Sequence, residues 1–414
     1  MSRFSTTNST YGSFYLDIQN KVKEDQEKQK RQSNQSYNYP QKNYQNNNYH
    51  NTKNDIQNIP RARTPINLLK DSSIVGNISC SLTGLQNLGN TCYINTCLQN
   101  LIHCTPFISR FLEISNTMFQ KNIRPCPISD AFYELLIQIY DNNHNEQNDY
   151  INPCNFVDKL TSIHSHFYGN QEHDTQELCR FLLQDFNCEL NEVINPSSYK
   201  TQMPKGNKKQ MFFNYKNDCL SKENSLITDL FIGYFSFEYV CECGYKEYTF
   251  SQFLDLPIQM NSGIKGFDLF QMIHDNYFYR TSYVDMGENC DFCRRTSKKR
   301  EIMKIASLPQ ILIISLQRID QNGKKNETPV KFYEGIDLKG VIDPEIADGS
   351  STKYNLFAVS NHIGQINTGH YFNYIKIGKN WYCFEDSKVF QVGYQIEMTS
   401  KEVYTLFYSR SNIK

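Results

Sequence analysis

Gly84-Leu85-Gln86-Asn87-Leu88-Gly89-Asn90-Thr91-Cys92-Tyr93-Ile94-Asn95 is a polar, glycine-punctuated turn that delivers one cysteine onto the first turn of a helix. The helix is legible from Ile94, Cys97, Leu98, Leu101 and Ile102, which recur at the three-to-four spacing of a single buried face. A thiol at a helix N-terminus sees the positive end of the macrodipole, which favours thiolate over thiol. Cys92 therefore reads as a nucleophile, against the alternative of a small core residue, the usual state of a free cysteine. Cys97, on the buried face, belongs to the second class.

A thiolate nucleophile needs a general base, and the base needs an orienting group, brought together by the fold. Tyr354 to His362 alternates as a half-buried strand, Gly364 to Gly369 supplies a turn, and His370 to Ile375 reads as the returning strand. His370 thus opens a strand just after a glycine that lets another backbone come close. Trp381-Tyr382-Cys383-Phe384 forms a third strand ending in Glu385-Asp386-Ser387, where a carboxylate can hold the imidazole. His362 is the competing base, but it precedes a turn and is expected to hydrogen-bond the loop.

The Gly84 to Cys92 segment resembles the cysteine box of the ubiquitin-specific proteases, and Tyr354 to Tyr371, with Tyr-x-Leu-x-Ala-Val-x-x-His-x-Gly and Gly-His-Tyr, is similar to their histidine box. Between them, in the same order as in that family, come Gln171-Glu172-His173-Asp174-Thr175-Gln176-Glu177-Leu178, Leu230-Phe231-Ile232-Gly233, and Leu308-Pro309-Gln310-Ile311-Leu312 with Leu316-Gln317-Arg318. Several motifs in one order carry far more weight than any one of them. The resemblance runs from about residue 80 to the C-terminus. It implies a deubiquitinase, in which Cys92 forms a thioester with the C-terminal glycine of ubiquitin and His370 acts as base. Asn87 matches the position whose amide helps to bind the oxyanion, although its setting also suits a turn former. Asp174 and Glu177 match positions near the ubiquitin tail, and read without the resemblance they form a helix N-cap and capping box. The family places Asp or Asn directly after the Phe of the Trp381 strand, where this chain has Glu385 followed by Asp386. Glu385 is expected to orient His370, with Asp386 a second polar contributor.

A second constellation lies between the boxes: Cys241-Glu242-Cys243-Gly244 and Cys290-Asp291-Phe292-Cys293, two cysteine pairs of the kind that clamp a tetrahedral zinc. Four thiolates leave no position for water, so Zn2+ there is structural. The resemblance puts the pairs at the tips of β fingers and commonly has Cys-x-x-Cys in both, whereas the first pair here is Cys-x-Cys. The base follows the nucleophile by about 280 residues, against roughly 130 to 150 in papain-like enzymes, which implies a papain-like site with a large β insertion. The expected fold is α+β: a papain-like cysteine protease with a helical thumb (81–200), zinc-pinned β fingers (226–310) and a β palm (311–414).

Composition agrees with an intracellular enzyme, cytoplasmic or nuclear. Fourteen cysteines form no compact disulfide scaffold and the N-terminus has no apolar signal core. No apolar run is long enough for a membrane span. Lys plus Arg equals Asp plus Glu at 43 each, so no basic field recommends nucleic acid. The expected partners are ubiquitin and ubiquitinated proteins. The rival classes are a catalytically inactive ubiquitin-binding module and a zinc-stabilised interaction module. Residues 1–80, rich in Asn, Gln and Tyr, have too little aliphatic content to offset the entropy of ordering and are expected to be a disordered tail, with Phe14 to Arg31 at most a transient charged helix. Asn142 to Asp149 and Lys200 to Asn217 read as surface loops.

Overall fold

Helix Cys92–Ile102 is the piece around which the rest is arranged. The computed structural model describes residues 72–411 apart from 122–124, 146–148, 170, 195–205, 261–264, 278–280, 286–288, 297, 320–323 and 366–367. Most of the expected tail, including Phe14 to Arg31, lies outside the described residues. The helix is buried on every side rather than on one face, because a β-sheet covers one flank and helices cover the other. Its polar side chains reach the sheet and the loop before the helix. Gln99 Nε2 donates to Thr83 O (3.0 Å), Asn100 Nδ2 to Ser360 Oγ (2.8 Å), and Asn373 Nδ2, from the sheet, donates to Thr96 O (2.8 Å) and Asn100 Oδ1 (2.7 Å). Buried amides with partners on two elements fix the register of helix on sheet, since any slide would strand several of them.

The helical layer comprises Ser72–Ser79, Cys92–Ile102, Thr105–Lys121, Pro127–Asn145, Cys154–Ile163 and Thr175–Glu189. Its core is aromatic: Phe111 meets Phe132 edge to face at 5.1 Å, and Phe107 meets Phe231 in the same way at 5.7 Å. Ser72–Ser79 corrects the expected boundary of the tail. Ile74 and Ile78, one turn apart, are buried in this core, so the packed unit begins before residue 80. Two loop readings also change. Pro127–Asn145 continues into the segment beginning at Asn142, and Lys208–Leu220 is a helix capped by Asn207, whose Oδ1 accepts from Gln210 N at 2.9 Å. The latter lies on the β layer through Phe212, whose ring meets Tyr234 at 5.6 Å and Phe250 at 5.5 Å.

The large sheet runs in the order Lys388–Gly393, Asn380–Glu385, Thr368–Ile377, Lys353–Gln365, Val403–Arg410, Ile311–Gln317 and Leu256–Gln259, with Gly335–Asp337 beside Lys353–Gln365. Neighbours are antiparallel except the last pair. Leu256–Gln259 falls within the span expected for fingers, yet it pairs with Ile311–Gln317 and so belongs to the palm sheet. A separate four-stranded sheet, in the order Lys246–Phe253, Gly233–Val240, Lys299–Ser307, Thr281–Val284, forms the fingers, and both cysteine pairs lie in its connections. No helix among the described residues is long and apolar enough to cross a membrane.

Candidate active site

Gly89 (φ 100°) and Asn90 (φ 54°) turn the chain through the left-handed region just before the helix. Asn87 Oδ1 accepts from Gly89 N (2.9 Å) and Thr91 N (3.2 Å), and Thr91 Oγ1 accepts from Leu88 N (2.8 Å). These bonds set Cys92 at the first helical position, where it is only 2% exposed. Burial pushes its thiol up to about 11; Asp386 and Glu172 push the same way, and the backbones of Tyr371 and Tyr93 oppose them. The direction is the reverse of the one expected from the helix dipole, because desolvating the anion outweighs a partial charge at the helix end. The Tyr371 contact puts the sulfur beside the residue that follows His370.

His370 lies on strand Thr368–Ile377 opposite Ile363, and its Nε2 is 3.5 Å from Glu385 Oε1. That separation is an ion-pair distance, longer than a hydrogen bond. Asp386 points elsewhere. Its Oδ2 accepts from Asn87 Nδ2 (2.9 Å) and its Oδ1 from Asn95 Nδ2 (2.8 Å), so one carboxylate ties the Asn87 amide to helix Cys92–Ile102. Asn87 is thus a turn former and an oriented donor at once. Glu385 and Asp386 divide between two tasks because Asp386 sits in the tight turn into Lys388–Gly393 with φ 52°, which breaks the strand alternation at that point. Leu85 N donates to Asp386 O (2.9 Å), and a Cβ on Gly84 would come within 2.5 Å of Ser387 O; only a glycine allows the cysteine box to lie this close to the carboxylate turn.

Asp174 caps helix Thr175–Glu189, its Oδ1 accepting from Gln176 N (2.7 Å) while its Oδ2 accepts from Tyr404 OH (2.5 Å). The cap goes through Gln176 instead of a box with Glu177, which is exposed on the first turn. His362 does not hydrogen-bond the loop. It is buried, its ring meets Tyr371 at 4.5 Å, and neither nitrogen has a hydrogen-bond partner among the described residues. Burial, then Lys325, lowers its pKa to about 4, so it is a neutral wall and a poor base. Two residues escape the sequence reading: Asn95, visible only as a polar residue one turn after the nucleophile, and Glu172, whose Oε2 accepts from Gly369 N at 2.6 Å.

The sulfurs of Cys241, Cys243, Cys290 and Cys293 all lie within 4.8 Å of one another, so this cluster can hold a metal ion. The Cys-x-Cys pair is accommodated by a tight turn in which Gly244 N donates to Cys241 O (2.8 Å) and Cys241 N to Tyr245 O (2.9 Å), with Gly244 at φ 87°. The second pair uses a similar turn: Arg294 N donates to Cys290 O (2.9 Å) and Cys290 N to Arg295 O (3.1 Å).

The family model described as ubiquitin carboxyl-terminal hydrolase matches residues 83–408. Human ubiquitin carboxyl-terminal hydrolase 2 is 30% identical over 79% of this chain and 55% of its own length. Ubiquitin carboxyl-terminal hydrolase 4 of Candida glabrata is 27% identical over 84% of this chain and 43% of its own. The chain therefore spans about half the length of these relatives. Among solved structures, a chain of the SAGA Ubp8/Sgf11/Sus1/Sgf73 DUB module bound to ubiquitin aldehyde shares the fold, with a TM-score of 0.63 and 22% identity over 82% of this chain and 71% of that one.

Proposed function

Because the chain belongs to the ubiquitin carboxyl-terminal hydrolase family, we propose that it is a deubiquitinase, a thiol hydrolase of the isopeptide or peptide bond after the last glycine of ubiquitin. The observation that carries this reading is the convergence of Cys92, the His370–Glu385 pair and the Asn87–Asp386 pair where helix Cys92–Ile102 meets the sheet. Cys92 Sγ attacks the glycine carbonyl as His370 takes the thiol proton; His370 returns it to the departing lysine amine, and water resolves the thioester. The raised Cys92 pKa makes this base essential, since the free thiol holds its proton at neutral pH. Glu385 faces the imidazolium as it forms. Asn87 Nδ2 and the Cys92 N–H serve the oxyanion, with Asp386 holding Asn87 in place. Of the two acids near the tail, half-buried Asp174 shapes the channel wall, and exposed Glu177 offers a carboxylate to the arginines of the Arg-Leu-Arg-Gly-Gly terminus.

The cysteine cluster is read as a structural Zn2+ site. A tetrahedron with Zn–S of about 2.3 Å has edges of about 3.8 Å, and the Cys241–Cys293 and Cys243–Cys290 sulfurs stand 3.9 and 3.7 Å apart. Bound there, zinc pins the two finger turns and contributes folding energy without touching the reaction. Cysteines held as thiols, with no disulfide among the described residues, suit a reducing intracellular compartment.

Hydrolysis of a fluorogenic ubiquitin C-terminal amide by the wild type and not by Cys92→Ala is the expected result. Equal activity in the variant would displace the nucleophile. Ubiquitin binding without turnover by the wild type would leave an inactive binding module.

A further inference from the structure

The nucleophile is shut in. Cys92 is 2% exposed, and a hydrogen bond ties the two walls beside it: Glu172 Oε2, on the segment leading into helix Thr175–Glu189, accepts at 2.6 Å from Gly369 N, on the strand that carries His370. The space along this seam is a cavity of about 60 Å³ lined by Glu172, Asp174, Lys325, His362, Tyr371 and Tyr404. A site of about 10–15 Å³ on this measure already admits one water, so there is room for a few solvent molecules and too little for a peptide. A glycine held at Cys92 brings its preceding residues along the seam, so the tie has to open first.

Resting on the deubiquitinase reading, the substrate itself carries the means. Its tail presents two guanidinium groups, and a guanidinium prefers a carboxylate to any neutral partner. Asp174 is not available, because both its oxygens are held by Gln176 N and Tyr404 OH. Glu172 is only half buried, and its bond partner is a neutral backbone donor. We propose that Glu172 determines specificity for a tail arginine: the arriving guanidinium draws the carboxylate away from Gly369 N, and the seam opens for the diglycine. The exchange replaces a neutral-donor bond by a charge-assisted, bidentate one. It also frees the Gly369 N–H to donate to a carbonyl of the entering chain, so no buried donor is orphaned. A glutamine at this position would keep the tie and lose the attraction.

The test crosses two enzymes with three substrates: full-chain wild type and Glu172→Gln, against the ubiquitin amide with its native tail or with either tail arginine replaced by alanine. With wild type, one of the replacements is expected to lower kcat/KM by about tenfold, the scale of a hydrogen bond to a charged group. With Glu172→Gln the same replacement should cost less than about threefold. Equal penalties in the two enzymes overturn the proposal. A substrate-free arm reads the tie: both Glu172→Ala and Glu172→Gln remove the charge that raises the Cys92 pKa, so iodoacetamide labelling of Cys92, followed by mass spectrometry of its peptide, should be several-fold faster in Glu172→Ala than in Glu172→Gln, and equal rates in the two variants also overturn it. Failure of the wild type to cleave the native substrate would instead sink the deubiquitinase reading.

Discussion

Replacing Asp386 by asparagine keeps the size and backbone preference of the residue and removes one oxygen acceptor. In the native arrangement its two oxygens accept from Asn87 Nδ2 at 2.9 Å and Asn95 Nδ2 at 2.8 Å. The asparagine offers one oxygen and one NH2, so one of the two amides then faces a donor. One charge-assisted bond becomes neutral and a second is lost, with a part-buried donor left over; together these cost about 2–4 kcal/mol. If Asn87 is the amide that swings away, the oxyanion loses a donor worth about 2.7–4 kcal/mol, or roughly 10²–10³ in kcat. Steady-state kinetics on the fluorogenic ubiquitin amide should therefore show kcat reduced about 100-fold with KM changed less than about threefold, the pattern of an interaction made in the transition state. Glu385→Gln should cost less, about tenfold, because that carboxylate stands 3.5 Å from the ring with its side chain 44% exposed, where water screens the charge. An Asp386→Asn enzyme within about threefold of wild-type kcat, beside a Glu385→Gln enzyme that has lost more, refutes the division of labour drawn between the two acids.

The protein is expected to hold one zinc per chain; Cys290→Ser should lose it and lower the melting temperature while the chemistry of the folded fraction persists, and a metal-free wild type of full activity and unchanged stability would remove zinc from the account. Glu189, whose oxygens accept from Ile128 N (3.0 Å) and Ser129 N (2.7 Å), has its pKa raised to about 7, chiefly by burial. A raised carboxylate pKa means that the folded state holds the proton more tightly, so this contribution is complete below the unfolded pKa and is lost as pH rises through about 7. The melting temperature should fall between about pH 5 and pH 7 by this route and level off above, and Glu189→Gln should flatten that slope; an identical slope in the variant would assign it to other groups.

Much of the site could be read before any coordinates. The nucleophile helix, the strand pair around His370, the Trp381 strand and the two cysteine pairs all carry local signals: a period, a turn, a spacing. What could not be read was long-range or weakly patterned. The Asp386 bonds to Asn87 and Asn95 span some 300 residues of chain, and nothing local to any of the three announces them. Lys208–Leu220 hides because lysine and asparagine surround it and only Phe212 is a large buried anchor, while Ser72–Ser79 hides beside a polar segment and betrays itself only through Ile74 and Ile78. The charge state of Cys92 went the other way because helix position is a sequence property and burial is a tertiary one.

The tight turn between Asn380–Glu385 and Lys388–Gly393 constrains which substitutions this protein can explore. Position 386 is held at φ 52°, a conformation open in practice to glycine, asparagine and aspartate. Of those three, only two offer an acceptor to the amides of Asn87 and Asn95, and only one offers two. Backbone and chemistry together leave an alphabet of one or two letters there. Position 385 carries no such double demand, being ordinary strand with a partly exposed side chain. A library randomised at both positions should therefore return fully active clones with aspartate at 386, asparagine there appearing only among weakly active ones, while changes at 385 cost less and are recovered more often.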